Sequence, residues 1–203
     1  MKKSVSLKIL SVAGAILLSI SVASGASDAK GLEGRLIVAA SIRPTDLILY
    51  IANPPAALKP SRATTAVIDQ RNHAYIPRVL PIVKGTAVKF QNSDRVAHNV
   101  FSMSPTKSFD LGKIAPKQFG SVTFEKSGIV ELLCGFHSQM IAYIRVLDHP
   151  YFTVPDQQGK FIIQGVPAGT YELRIWHETV GEVAREIKAV EGPSLPIQIS
   201  FPK

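Results

Sequence analysis

Cys134-Gly135-Phe136-His137-Ser138-Gln139-Met140 is the stretch on which the reading of this chain turns. It sets a thiol, an imidazole and a thioether at C-x2-H-x2-M spacing between two alternating apolar runs, Ile129–Cys134 and Ile141–Leu147. Val130, Leu132 and Cys134 share one face of the first run, and Ala142, Ile144 and Val146 alternate against Tyr143 and Arg145 in the second. A loop this short between two strands brings three soft or borderline donors to one point. Upstream, Asn92-Ser93-Asp94-Arg95-Val96-Ala97-His98-Asn99-Val100 supplies a second imidazole at another strand end. Two histidines, one cysteine and a weak axial methionine are the donor set of a trigonal electron-transfer copper site.

Taken singly, each donor has a plainer role. A cysteine closing a strand is usually a small buried hydrophobe, a loop histidine is usually hydrogen-bonded, and a methionine is usually core. Their joint spacing, with Asn99 beside the first histidine and a strand on each side, favours a metal site made of His98, Cys134, His137 and Met140. Met103 and Gln139 compete with Met140 for the axial place. The other histidines read as structural: His177 shares a face with Tyr171, Leu173 and Ile175, while His73 and His149 fall in turn-like segments.

Working outward, short strands punctuated by fourteen Gly and fourteen Pro fill the chain. Candidates are Leu36–Ala40, Leu47–Ile51, Thr65–Asp69, Thr86–Gln91, Ala97–Ser102 and Gly120–Phe124, besides the two that flank the cysteine loop. Beyond Asp148-His149-Pro150 a second set follows: Tyr151–Val154, Lys160–Ile163, Thr170–His177, Glu182–Val190 and Leu195–Phe201. No segment past the N-terminus sustains a 3.6-residue apolar period. The pattern predicts an all-β protein built of antiparallel sandwiches. Residues 52–63, rich in Pro and Ala, read as a loop or linker, and no internal repeat is visible.

Residues 1–26 read as a secretory signal: Lys2, Lys3 and Lys8, then the uncharged run Ile9–Val22, then the small residues Ala23 to Ala26. That run is about 14 residues, short of the ~20 needed to span a bilayer. The mature chain is therefore expected in the periplasm or secreted, with no stable membrane span. Removing those three lysines lowers the formal charge of the 203-residue chain from +8 to +5. The remaining Lys and Arg are scattered singly, so a nucleic-acid partner is not expected. One cysteine excludes an internal disulfide, a two-cysteine zinc motif and a CxxCH haem attachment.

Residues 64–147 resemble a cupredoxin, the type 1 (blue) copper fold, through Val88-Lys89-Phe90-Gln91-Asn92, His98-Asn99-Val100 and Cys134 to Met140. The ligand loop is most similar to that of amicyanin, with plastocyanin-like proteins carrying longer ones. The resemblance implies a Greek-key sandwich in which His98, Cys134 and His137 are the strong ligands of one copper and Met140 the axial one. It also implies that Asn99 ties the two ligand loops together. Gly135 stands where Ser or Thr is common, so the Asn99 bond either goes to backbone or is missing. Gly159-Lys160-Phe161 through Val166-Pro167-Ala168-Gly169-Thr170-Tyr171-Glu172-Leu173-Arg174 resembles a carboxypeptidase regulatory-like domain. That is a small prealbumin-like sandwich used as an accessory module, and it implies no peptidase.

The expected organisation is a signal at 1–26, a cupredoxin domain at 27–147 with its core at 64–147, and a second sandwich at 148–203. Whether residues 32–58 complete the first sandwich or lend a strand to the second is open at this level. The expected function is single-electron transfer by one type 1 copper with a redox partner protein, such as a c-type cytochrome or a periplasmic oxidoreductase. The alternatives are a copper-binding or delivery protein, or a structural or interaction sandwich with no redox role. An enzyme is not expected: five histidines with no HxH pair cannot build a trinuclear copper site, and one cysteine excludes a two-thiolate dinuclear centre.

Overall fold

Alternation between apolar and polar residues is realised as sixteen strands in a computed structural model that describes residues 31–54, 65–190 and 197–201. In chain order they are β1 (Leu32–Val38), β2 (Ile48–Ile51), β3 (Thr65–Arg71), β4 (Ala74–Ile76), β5 (Val79–Val83), β6 (Ala87–Asn92), β7 (His98–Ser104) and β8 (Lys107–Ile114). They continue as β9 (Phe119–Thr123), β10 (Gly128–Leu133), β11 (Ile141–Leu147), β12 (Phe152–Thr153), β13 (Lys160–Ile163), β14 (Gly169–His177), β15 (Gly181–Ala189) and β16 (Ile197–Phe201). Among the described residues there is no α-helix, only a 3-10 turn at Pro44–Asp46, and no helix is long and apolar enough to cross a membrane. The signal read at 1–26 and most of the linker read at 52–63 lie outside the described residues. The all-β expectation holds.

Four sheets make two sandwiches. Sheets β4-β3-β6-β9 and β5-β11-β10-β7-β8 enclose one apolar cluster, which includes Ile68, Val88, Phe90, Phe124, Leu132 and Ile144. Sheets β13-β1-β16 and β12-β2-β14-β15 enclose another, which includes Leu36, Leu49, Ile163, Leu173 and Phe201. Each inward row follows the period-2 rule: Val88, Phe90 and Asn92 of β6 are buried, as are Ala142, Ile144 and Val146 of β11.

The sheet pairing moves the sequence-level boundary. Residues 27–147 do not form one unit, because β1 pairs with β13 and runs parallel to β16, while β2 pairs with β12 and β14. The first sandwich is therefore set between β2 and β12 of the second. The reason is burial on two sides. Leu47–Ile51 is a continuous apolar run, and such a run needs cover on both faces. Leu49 and Ile51 enter the core of the second sandwich, whereas Ile48 and Tyr50 meet Val79, Leu147 and Trp176 in a third cluster at the seam.

The polar-looking face of β11 belongs to that seam. The Tyr143 ring lies edge-on to Trp176 with centroids 5.3 Å apart, and the Arg145 guanidinium sits 4.7 Å over the Tyr50 ring. Arg145 also donates to Tyr50 Oη, which donates in turn to Glu182, and Arg78 pairs with Glu178 at 2.6 Å.

Three strands escape sequence patterning. β8 alternates half-buried and exposed positions, with only Ile114 buried, β5 carries Pro81, and β4 is three residues long. β4 and β5 are completed by pairing with β3 and β11, and β8 turns Phe109 and Leu111 toward the core from the edge of its sheet.

Candidate metal centre

β10 delivers its inward row, Val130, Leu132 and then Cys134, to one end of the first sandwich, so the thiol is buried where that strand stops. The chain turns at once: the Met140 N–H donates to the His137 carbonyl at 3.0 Å, and β11 begins at the next residue. His98 opens β7 on the same end and is fully buried. The fold thus gathers His98, Cys134 and His137 so that one ligand atom of each lies within 4.8 Å of the others. His98 Nδ1 faces His137 Nδ1 at 3.1 Å, and Cys134 Sγ is 3.9 Å from His137 Nδ1.

Three surrounding polar groups hold that arrangement. His98 Nε2 lies 2.8 Å from Asp94 Oδ2. A carboxylate can only accept there, so the ring proton sits on Nε2 and the Nδ1 lone pair points into the site. Burial pushes the Asp94 carboxyl upward, but the N–H of His73, the His98 ring and the N–H of Asn72 together hold it at about 2. The loop carrying Asp94 is tied by Asn92, whose buried amide donates to the carbonyls of Val96 and Ile114 at 2.8 and 2.9 Å.

Asn99 joins the two ligand loops. Its Oδ1 accepts the Gly135 N–H at 3.1 Å, and its Nδ2 donates to Asp110 Oδ1 and the Gly112 carbonyl at 2.7 and 2.9 Å. Of the two outcomes open from the sequence, the bond to backbone is the one found. The Tyr75 hydroxyl closes the inner side, 3.0 Å from the carbonyls of both Asn99 and Leu133. Burial, and then the Cys134 charge, push the Tyr75 pKa far up, so it stays a neutral donor.

Met140 is buried in the same apolar cluster as Cys134. Its rival Met103 is 74% exposed, and Gln139 is exposed too. His149 and His177 serve backbone groups, their Nδ1 atoms accepting the N–H of Tyr151 and of Thr179. His73 is the exception among the histidines read as structural. It does occupy a turn, between β3 and β4, but its ring centroid lies 4.7 Å from that of His137 and 5.7 Å from that of His98.

Sequence reasoning missed Asp94, Tyr75 and the placement of His73. An acid four residues before a candidate histidine ligand was the one available signal. Tyr75 and His73 belong to a hairpin whose docking on this end of the sandwich depends on β3 pairing in parallel with β6.

These residues fit a copper ion. His98 Nδ1 and His137 Nδ1 face one another at 3.1 Å, a place where a metal ion can take over from a shared ring proton. Burial, then the neighbouring His98 and His73 charges, lower the His137 pKa, so the ring favours its neutral, metal-binding form. A thiolate beside two neutral imidazoles, with a thioether in the same cluster, is soft enough for copper in either oxidation state and offers no carboxylate to a harder ion.

No family model matches this chain, and no curated protein matches it. Among solved structures it is similar to a purple cupredoxin from Nitrosopumilus maritimus, at 26% identity over 40% of this chain and 99% of that one, with a TM-score of 0.38. It is also similar to amicyanin from Paracoccus versutus, at 21% identity over 49% and 97% of the two chains, TM-score 0.38. A copper-containing nitrite reductase from Thermus scotoductus SA-01 matches at 22% identity over 55% of this chain and 28% of that one, TM-score 0.40.

Proposed function

We propose that this chain is an exported copper protein that carries single electrons, with His98, Cys134 and His137 as strong ligands and Met140 as a weak fourth donor. The observation that carries the reading is the convergence of the three ligand atoms within 4.8 Å on a frame held by Asp94 and Asn99. Copper, when bound, supplies a one-electron couple between Cu(I) and Cu(II).

The chain's own part is to keep the donors still. Asp94 fixes the His98 tautomer and ring plane, Asn99 locks the turn after Cys134 to β7, and Tyr75 braces the carbonyls behind both. Donors that cannot relax hold one geometry through both charge states, which keeps reorganisation small. The apolar cluster around Cys134 and Met140 keeps water from the sulfur atoms. Only the His137 side opens outward, with Phe136 and Ser138 exposed beside it, and that edge is where electrons would enter and leave to a redox partner protein, such as a c-type cytochrome or a periplasmic oxidoreductase. The buried polar side chains Asp94, His98 and Asn99 are committed to holding the site, which supports a carrier over an enzyme. The second sandwich serves as an accessory module.

The test is an absorption titration of the full chain with Cu(II). Strong visible thiolate-to-copper absorption at one equivalent, with narrow copper hyperfine splitting, is expected. Its persistence in Cys134→Ser overturns the ligand assignment, and a colourless copper-loaded protein overturns the carrier reading.

A further inference from the structure

His73 stands at the tip of the β3–β4 hairpin, where Asn72 and His73 take φ of +53° and +56° between the paired residues Arg71 and Ala74. Positive φ at both central positions is the type I′ turn, for which Asn-Gly is the preferred pair. A histidine here accepts a conformational penalty that glycine avoids. The tip is also anchored: Asp94 Oδ1 accepts the Asn72 N–H at 2.9 Å, and Oδ2 accepts the His73 N–H at 3.0 Å while holding His98. One carboxylate therefore positions a buried ligand and the exposed imidazole together.

The three rings form a compact triangle at graded depths from solvent, with His73 and His98 centroids 5.7 Å apart. His73 is exposed, His137 is half-buried and His98 is fully buried. Their centroids are 4.7 Å apart for His73 and His137, and 4.9 Å apart for His137 and His98. His73 lies outside the set of ligand atoms that converge within 4.8 Å. Its place is at the mouth of the centre, not in it.

We propose that His73 is the entry ligand for copper, capturing the ion from solvent with His137 and passing it to the buried Cys134 and His98; this rests on the copper reading above. In the transfer the bond from copper to the His73 nitrogen breaks as the bond to Cys134 Sγ forms, and the thiol proton leaves to water. No electron moves. A second imidazole fixed beside the first raises the local concentration of ligand and so speeds capture without changing the final donor set.

The experiment mixes apo full-length chain with Cu(II) in a stopped-flow instrument and follows thiolate-to-copper absorption, then measures affinity by chelator competition. Two variants remove the imidazole while keeping the turn: His73→Gly creates the favoured Asn-Gly pair, and His73→Asn retains a residue tolerant of positive φ. Both are expected to slow the rise of absorption about tenfold and to leave the final spectrum and affinity as in the wild type. Unchanged rates overturn the proposal. A slower rise in only one variant assigns the effect to backbone and overturns it too, and an altered final spectrum makes His73 a resident ligand, which also overturns it. If the wild-type chain itself develops no thiolate absorption, the copper reading has failed and the entry role falls with it; slow variants beside a blue wild type cannot arise that way.

Discussion

The two sandwiches bury apolar clusters of the same size, fifteen residues each among the described residues, but differ in what else they bury. The second adds only Asp46, paired with Arg43 and Arg78 near the seam, and His177. The first adds Asp69, Gln70, Thr86, Asn92, His98, Asn99 and Ser102. An apolar cluster suffices to hold a sandwich together, and a buried polar group is costly unless it finds a partner. Asn92, His98 and Asn99 find theirs in the backbone and side chains that shape the cysteine end. The asymmetry separates a module built for cohesion from one that also has to aim three donors at a point.

The sharpest way to break this contrast is to damage the second core and look for an effect on the first. Phe201→Ala removes a fully buried ring and is expected to cost about 3–5 kcal/mol, read as a drop in thermal midpoint, with copper affinity of the folded protein unchanged. A parallel loss of affinity would show that the modules are not separable in function.

Next in size is Asn92→Ala, which leaves the carbonyls of Val96 and Ile114 without their donor and frees the Asp94 loop. About 1–3 kcal/mol of stability should go, and here copper affinity should fall as well. Full affinity at reduced stability would put the buried amide on the side of cohesion.

A smaller effect is expected at the seam. Burial raises the Glu182 carboxyl, but the Tyr50 hydroxyl and the Arg174 and Arg145 guanidiniums more than offset it and hold the group below its ordinary range. Because the folded pKa is depressed, its contribution is fully present above the unfolded value of about 4.3 and is lost as pH falls through the lower folded one. Unfolding curves measured down through that window should lose part of their pH dependence in Glu182→Gln. An identical profile would mean the seam does not feel this charge.

The smallest change is Gly135→Ala. A methyl group there would come within 3.1 Å of Asn99 Oδ1, so the amide must give slightly. Less than about 1 kcal/mol is expected, with a small shift of the thiolate absorption band as the readout.

What was legible in the sequence follows from the same contrast. Strands whose own residues alternate, such as β6, β10 and β11, could be read from pattern, and so could the nearness of Cys134 to His137, because a short loop forces its ends together. β4 is too short and β5 is interrupted by Pro81, while the alternation of β8, carried by Phe109 and Leu111, is weak enough to pass for a loop. Asp94, Tyr75 and His73 act on the site across the sheet, through a hairpin placed by the parallel pairing of β3 with β6. The membership of β1 and β2 was equally hidden, because Leu47–Ile51 needs cover on two sides and the sequence does not name the covers.

The interruption of one sandwich by the other also has a temporal side. Every strand of the first sandwich lies in a single stretch, β3 to β11, so it can close as soon as that stretch exists. Leu36 of β1 must wait for Ile199 of β16, its parallel neighbour, with the whole first sandwich between them in the chain. Long-range pairings form late, and a chain made from its N-terminus onward meets them last. The copper end would thus be assembled while β1 and β2 still present open edges, the stage at which the growing protein is most exposed to mispairing.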